Sequence, residues 1–137
     1  MMIVNLDSKI KQLFEDYNKE PFQYGVSDCA NFASDWVQRI TGRDIISDFE
    51  EYSTEATAMS VLSSHGYKDQ DELLDDYFKR VPKRRMKRGD LCGHYFEGNK
   101  IMAIGVYVSS FAMFRNDDGL VMVPYKMLDT NLCWSIQ

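Results

Sequence analysis

The sequence has few cysteines and no long apolar run, and each shortage excludes a class of protein. Its 3 cysteines, Cys29, Cys92 and Cys133, are an odd number at wide spacings, which fits neither a disulfide framework nor a paired-thiolate zinc site. We therefore expect free thiols. No apolar run approaches the roughly 20 residues that cross a bilayer, and the first residues turn polar too soon for a secretory signal. We expect neither a transmembrane segment nor a signal peptide.

The composition is that of a globular protein. Hydrophobic residues make up 45% and charged residues 27% of the chain, which excludes disordered, collagen-like and fibrous proteins. A length of 137 residues allows one domain of ordinary size and leaves little room for a second core. We expect a single domain over residues 1–137, with a helical half at 1–81 and a sheet at 89–137.

Charge is distributed unevenly along the chain. Residues 1–78 carry 6 basic and 16 acidic side chains, a balance of −10, and residues 79–137 carry 10 basic and 5 acidic, a balance of +5. Seven of the basic residues lie in the segment 79–88. We interpret this segment as a solvated linker that balances the acidic half, because it lacks the interleaved aromatics that stack on bases. A contact for nucleic acid or an acidic partner is the alternative.

Apolar residues at three- and four-residue steps predict four helices in the first half. They run from Asp7 to Lys19 with Asp7 or Ser8 as the cap, from Ser27 to Thr41, over 54–65, and from Asp69 to a stop before Pro82. The acidic residues that open the fourth helix lack the glycine of a calcium loop, so we predict no metal site there.

The second half has the pattern of strands. Runs at 90–96, 101–108, 111–115, 120–123 and 132–136 are separated by short turns, and Gly98-Asn99 suits a two-residue hairpin loop. Helices grouped before strands predict an α+β fold with an antiparallel sheet packed on the helices.

Cys29 is the most informative candidate for chemistry. It would lie in the first turn of the second helix, where free backbone N–H groups and the helix dipole favour thiolate over thiol. The preceding turn, from Tyr24 to Asp28, brings backbone close, so that an oxyanion could also be bound there. The alternative is a core thiol, because Ala33 and Trp36 share its helical face.

Several short motifs in order resemble one family of enzymes. They are Pro21-Phe22-Gln23-Tyr24-Gly25-Val26-Ser27-Asp28-Cys29-Ala30-Asn31-Phe32, then Arg88-Gly89-Asp90-Leu91, then Ile104-Gly105-Val106-Tyr107. This order resembles the NlpC-type papain-like cysteine peptidases, which cleave peptide or amide bonds in bacterial cell walls. The likeness spans roughly residues 10–137 and is greatest to a small, uncharacterised, tail-associated phage and prophage group that shares Asp35-Trp36-Val37, Thr41-Gly42-Arg43-Asp44, Gly119-Leu120, Pro124 and Trp134. The resemblance implies a papain-like fold, Cys29 as nucleophile, Tyr24 beside it in a cleft, and no metal or cofactor.

The chain departs from the family at the catalytic base. The resemblance places Ala103 where the family has its histidine, and only Asn116 stands near the position of the third group. A thiolate without a base lacks a proton shuttle for the leaving amine.

His94 could replace the missing base. If Gly98 and Asn99 form the loop, His94 faces Ala103 across the hairpin, with Cβ atoms about 4.5–5.5 Å apart. We predict His94 as a relocated base for Cys29. The alternative is an ordinary strand histidine that is bonded to a tyrosine or a carbonyl.

Two functions follow from these alternatives. The first is a catalytically degenerate virion protein of a phage or prophage, with other phage structural proteins as partners. The second is an active peptidase or amidase that cleaves peptidoglycan peptides through Cys29 and His94. We favour the degenerate virion protein, located in the virion or the host cytoplasm, and expect neither a membrane nor a nucleic-acid partner.

Overall fold

The computed structural model describes most of the chain, and the statements below concern these residues only: 5–20, 29–46, 49–96, 102–116, 119–128 and 131–136. The helices are α1 (Leu6–Tyr17), α2 (Cys29–Thr41), α3 (Glu55–Ser64) and α4 (Gln70–Tyr77). The strands are β1 (Lys79–Arg80), β2 (Leu91–His94), β3 (Ala103–Tyr107), β4 (Phe111–Asn116), β5 (Gly119–Pro124) and β6 (Cys133–Ser135). The predicted α+β class is confirmed.

Among the helix starts whose caps are described, that of α4 follows the predicted capping chemistry and that of α1 does not. The Asp69 carboxylate accepts a hydrogen bond from the Glu72 N–H at 3.1 Å and so caps α4, as predicted. The capping prediction for α1 is wrong, because Asn5 is its cap, with a left-handed φ of 59° and no side-chain bond. Asn adopts this conformation more readily than most residues, so the chain can turn into α1 one residue earlier.

The six strands form one antiparallel sheet with the order β1-β6-β2-β3-β4-β5. In the central hairpin His94 pairs with Ala103 and Leu91 with Val106, which is the predicted register. The loop residues 97–100, including the predicted Gly98-Asn99 turn, lie outside the described part. The pairing of β2 with β3 nevertheless has the register that a two-residue loop requires.

The two faces of the sheet are buried by different partners. On the first face, α1, α2 and α4 pack against a cluster that includes Leu91, Ile104 and Val106. On the second face, a smaller cluster includes Cys92 and Ala103, the neighbours of those residues along the strands. Side chains alternate between faces along a strand, so this division fixes the direction of every residue in β2 and β3.

The segment at the boundary of the two halves differs from the prediction. It was interpreted as a linker after a helical half, but Lys79 and Arg80 form β1, which pairs with Ser135 and Trp134 of β6. The strand is short and charged and lies at the sheet edge, which is how soluble sheets avoid edge-to-edge association. The helical region therefore ends at Tyr77, before the predicted boundary at residue 81.

A turn at 87–90 locks α2 onto the sheet. The indole N–H of Trp36, in α2, donates to the Gly89 carbonyl at 2.7 Å. The buried carboxylate of Asp90 accepts from the Lys87 N–H at 2.8 Å and from the Ile136 N–H at 3.4 Å. Gly89 has a φ of 94°, a conformation that is unfavourable for residues with a side chain. The structure of the turn therefore accounts for both residues of the Gly-Asp pair.

We predict that Asp90→Ala lowers the free energy of unfolding by about 2 to 3 kcal/mol, because it leaves buried N–H groups without their charged acceptor. Asp90→Asn keeps one acceptor oxygen and is expected to lose less. Urea unfolding measures both, with Glu51→Ala at an exposed position as the control, expected within about 0.5 kcal/mol of the wild type. An Asp90→Ala protein as stable as this control would contradict the role of the turn.

Candidate functional site

The first residue of α2 is Cys29, as the prediction of a cysteine in the first turn requires. Backbone N–H groups at this end of a helix have no acceptor within the helix, and the dipole is positive there. The side chain of Cys29 is outside the description, and so are Tyr24 and the whole segment 21–28. The acidity of the thiol and the cleft beside Tyr24 stay predictions.

Behind its first turn, α2 is a buried helix. Phe32, Trp36 and Val37 have no exposed surface, and they pack with the first-face residues of the sheet. Apolar area of this kind contributes about 1.5 to 3 kcal/mol for each large side chain. The position of Cys29 is therefore set by a rigid element and by the Trp36 bond to Gly89.

Ala103, at the position where the resemblance expects a histidine, begins β3 and is only 7% exposed. It belongs to the second-face cluster, and its methyl group carries no proton. An imidazole at this position would have to displace packed apolar atoms, which is costly in a dense core. Ala103 therefore offers no proton-carrying group at this position and is almost fully buried.

His94 lies directly opposite Ala103, and its ring is packed among aromatic side chains. The ring centroid is 4.8 Å from that of Phe96, edge to face, and 5.9 Å from that of Phe114. Contacts of this kind hold an aromatic ring in one orientation. The side chain is half-buried, as the alternative interpretation of an ordinary strand histidine also expects.

The placement of His94 restricts how it could meet Cys29. His94 shares the second face with Ala103, whereas α2 packs on the first face. A contact between the imidazole and the thiol would have to be made around the ends of β2 and β3, and not across the sheet. The Cys29–His94 pair therefore stays a prediction.

The expected third group is present only as Asn116. In the pairing of β3 with β4, Val106 lies opposite Met113 and Tyr107 opposite Ala112, which places Asn116 opposite Ala103 if the register continues to the strand end. Asn116 is exposed at the end of β4. Its neighbour Arg115 is 3% exposed and donates to backbone carbonyls of residues 17, 20 and 119 at 2.8 to 3.0 Å, so it has a structural task.

The basic segment binds acidic residues of the helical half. The Arg80 guanidinium contacts the carboxylates of Asp75 at 2.9 Å and Asp71 at 3.5 Å, and it lies 4.9 Å from the Trp134 ring. Arg88 pairs with Asp7 in α1. These contacts are what the interpretation as a charge-balancing segment expects. Arg84 and Arg85 remain exposed on the surface.

The described part of the chain holds no group of three or more His, Cys, Asp or Glu residues that could bind a metal ion. Within the same stretches, none of the helices has the length and apolar character of a membrane span.

Cys92 and Cys133 are free thiols in the interior, opposite one another in β2 and β6. Neither has any exposed surface. Burial raises the pKa of the Cys92 thiol far above its ordinary value, with smaller contributions from Cys133 and Asp90. Both are consistent with the predicted free thiols and with a packing role.

We predict that Cys92 and Cys133 resist iodoacetamide in the folded protein and react only after unfolding, because both thiols are buried and the raised pKa of Cys92 also leaves almost no thiolate there. Mass spectrometry of peptides after labelling near pH 7.5, with and without urea, measures this. Rapid labelling of either thiol in the absence of urea would contradict their placement.

The arrangement therefore consists of a cysteine at the start of α2, an alanine at the start of β3 and a histidine that lies opposite this alanine in β2. No curated protein matches the chain. A family model described as a domain of unknown function (DUF6950) matches residues 1–136. The chain belongs to this family.

Proposed function

We propose that this chain is a virion protein of a phage or prophage, associated with the tail, that uses a papain-like cysteine-peptidase fold as a structural or binding module. The motif resemblance supplies the fold and the setting. The observation that carries the loss of catalysis is Ala103. Its buried methyl group stands where the resemblance to the NlpC-type peptidases expects the histidine base. Partners would be other phage structural proteins.

Amide cleavage requires a group that transfers protons, so the identity of one residue decides whether the chain can catalyse it. The thiol must lose a proton to attack, and the leaving amine must gain one, so a single group has to carry the proton between them. Ala103 can do neither. His94, the remaining candidate, has its ring against Phe96 and Phe114, where it contributes to packing.

An active enzyme is the second candidate, a cysteine peptidase or amidase on peptidoglycan peptides. Two observations favour it: Cys29 begins α2, and the register sets His94 opposite Ala103. If Asn116 continues the same row, Ala103 stands between it and His94, so an orienting contact would have to reach across β3. This arrangement requires no metal or cofactor.

The reactivity of the Cys29 thiol separates the two candidates. In a degenerate protein we expect alkylation by iodoacetamide to rise with pH as for an ordinary thiol, and His94→Gln to leave that profile unchanged. In an active enzyme the profile would extend to lower pH as a thiolate–imidazolium pair forms, and His94→Gln would remove the extension. Because Cys92 and Cys133 are buried, the labelling of the folded protein reports on Cys29.

Cleavage of cell-wall fragments gives an independent test. We expect purified wild type and Cys29→Ala to release the same products, or none, and Cys29→Ser to support particle assembly as the wild type does. A product that the wild type releases and Cys29→Ala does not would overturn the proposal and establish the enzyme. Thermal unfolding of each variant shows whether it has kept its fold.

A further inference from the structure

A cavity of about 60 Å³ lies beside the first turns of α2. Its walls come from α2, α3, α4, the start of β3 and the chain between α2 and α3, and Ala30, the residue after Cys29, is part of them. By the measure that gives one water about 10–15 Å³, this space holds about four or five non-hydrogen atoms. A leucine side chain has a size of this order.

The cavity walls are apolar except at a few points. Ile45, Leu62 and Leu74 are typical of the lining, and among the described lining residues only Ser34, Tyr52 and Gln70 contribute polar side chains. A water molecule is stable in a cavity only when it finds two to four polar partners. The space therefore suits an apolar group better than water.

Gln70 supplies one unused hydrogen-bond acceptor. Its Nε2 donates to the Met102 carbonyl at 3.1 Å, which fixes the orientation of the amide. Its Oε1 is buried and has no hydrogen-bond partner in the described structure. A buried carbonyl oxygen without a donor is unfavourable, so a bound N–H group that reaches it would recover that loss.

We infer that this cavity binds a leucine-sized apolar side chain of a protein partner, with the N–H of the same residue donating to Gln70 Oε1. The size of the cavity selects the side chain, and the lone acceptor selects a peptide over a hydrocarbon. The alanine side chains of cell-wall stem peptides would leave most of the space empty, and their charged side chains would lose hydration among the apolar walls. The inference goes beyond the proposed function and does not depend on the reactivity of Cys29.

Three small amides and esters test the two parts of the inference. N-(3-methylbutyl)acetamide carries the N–H and side chain of leucine, 3-methylbutyl acetate has the same shape without the N–H, and N-ethylacetamide carries the side chain of alanine. NMR shift titrations of the folded protein measure their affinities. We expect the first to bind about three- to tenfold more tightly than the ester, as for one hydrogen bond, and the ethyl amide to bind weakest.

Three variants locate the binding. Ala58→Leu, in the cavity wall, fills the space and should weaken binding of the leucine-like amide at least tenfold, whereas Ala56→Leu, exposed on the same helix, should leave it unchanged. Gln70→Met removes the acceptor and should make amide and ester bind equally. The amide spectrum of each variant checks its fold. Equal binding of the three compounds, no saturable binding, or binding unaffected by Ala58→Leu would each overturn the inference.

Competition distinguishes the source of the side chain. A capped Gly-Leu-Gly peptide should displace the leucine-like amide, and a stem-peptide fragment of peptidoglycan should not. Displacement by the stem peptide alone would refute a protein partner and point to the cell wall. The alkylation of Cys29 is a separate measurement, so failure here would leave the proposed function standing, and the reverse also holds.

Discussion

The bond from the Trp36 indole to the Gly89 carbonyl is the constraint on which the rest of the arrangement depends. It joins the one helix that carries the candidate nucleophile to the turn that leads into the central strand, and Asp90 secures that turn from the inside. A hydrogen bond buried on both sides is hard to exchange for one with water, so it allows a single docking of α2. Glycine fits this turn because residue 89 has a positive φ, which is unfavourable for a residue with a side chain. The start of α2, and with it Cys29, is fixed relative to the sheet by residues that perform no chemistry.

A second constraint comes from the alternation of side chains along β2 and β3. Each residue is committed to one face, so a base cannot be moved by one position along its own strand without reversing its direction. It can move sideways to the opposed residue of the next strand, which is the relation of His94 to Ala103. In this chain the opposed position faces Phe96 and Phe114, and their rings occupy the surroundings of the imidazole. A sideways move thus preserves the face but changes the environment that an acid–base group needs.

Local patterns in the sequence predicted the elements that depend on neighbouring residues. The Gly98-Asn99 pair predicts the register of β2 and β3, and Asp69 predicts the start of α4, because turn and cap geometry are decided within a few residues. The edge strand β1 was missed, since two basic residues acquire strand geometry only by pairing with β6, far along the chain. The acceptor of Gln70 was missed for the same reason. Its place in the first turn of α4 is visible in the sequence, but its lack of a donor depends on how four elements meet around it.

The cavity and the residues Ala103 and His94 occupy different parts of this fold, and that separation is compatible with the proposed degenerate module. The cavity lies among α2, α3 and α4 on the first side of the sheet, whereas Ala103 and His94 belong to the second face. A change of histidine to alanine at the start of β3 would leave the helices and the lining of the cavity in place, because residue 103 belongs to the second face and the cavity lies on the first side of the sheet. Selection could then keep recognition of an apolar side chain after proton transfer was lost.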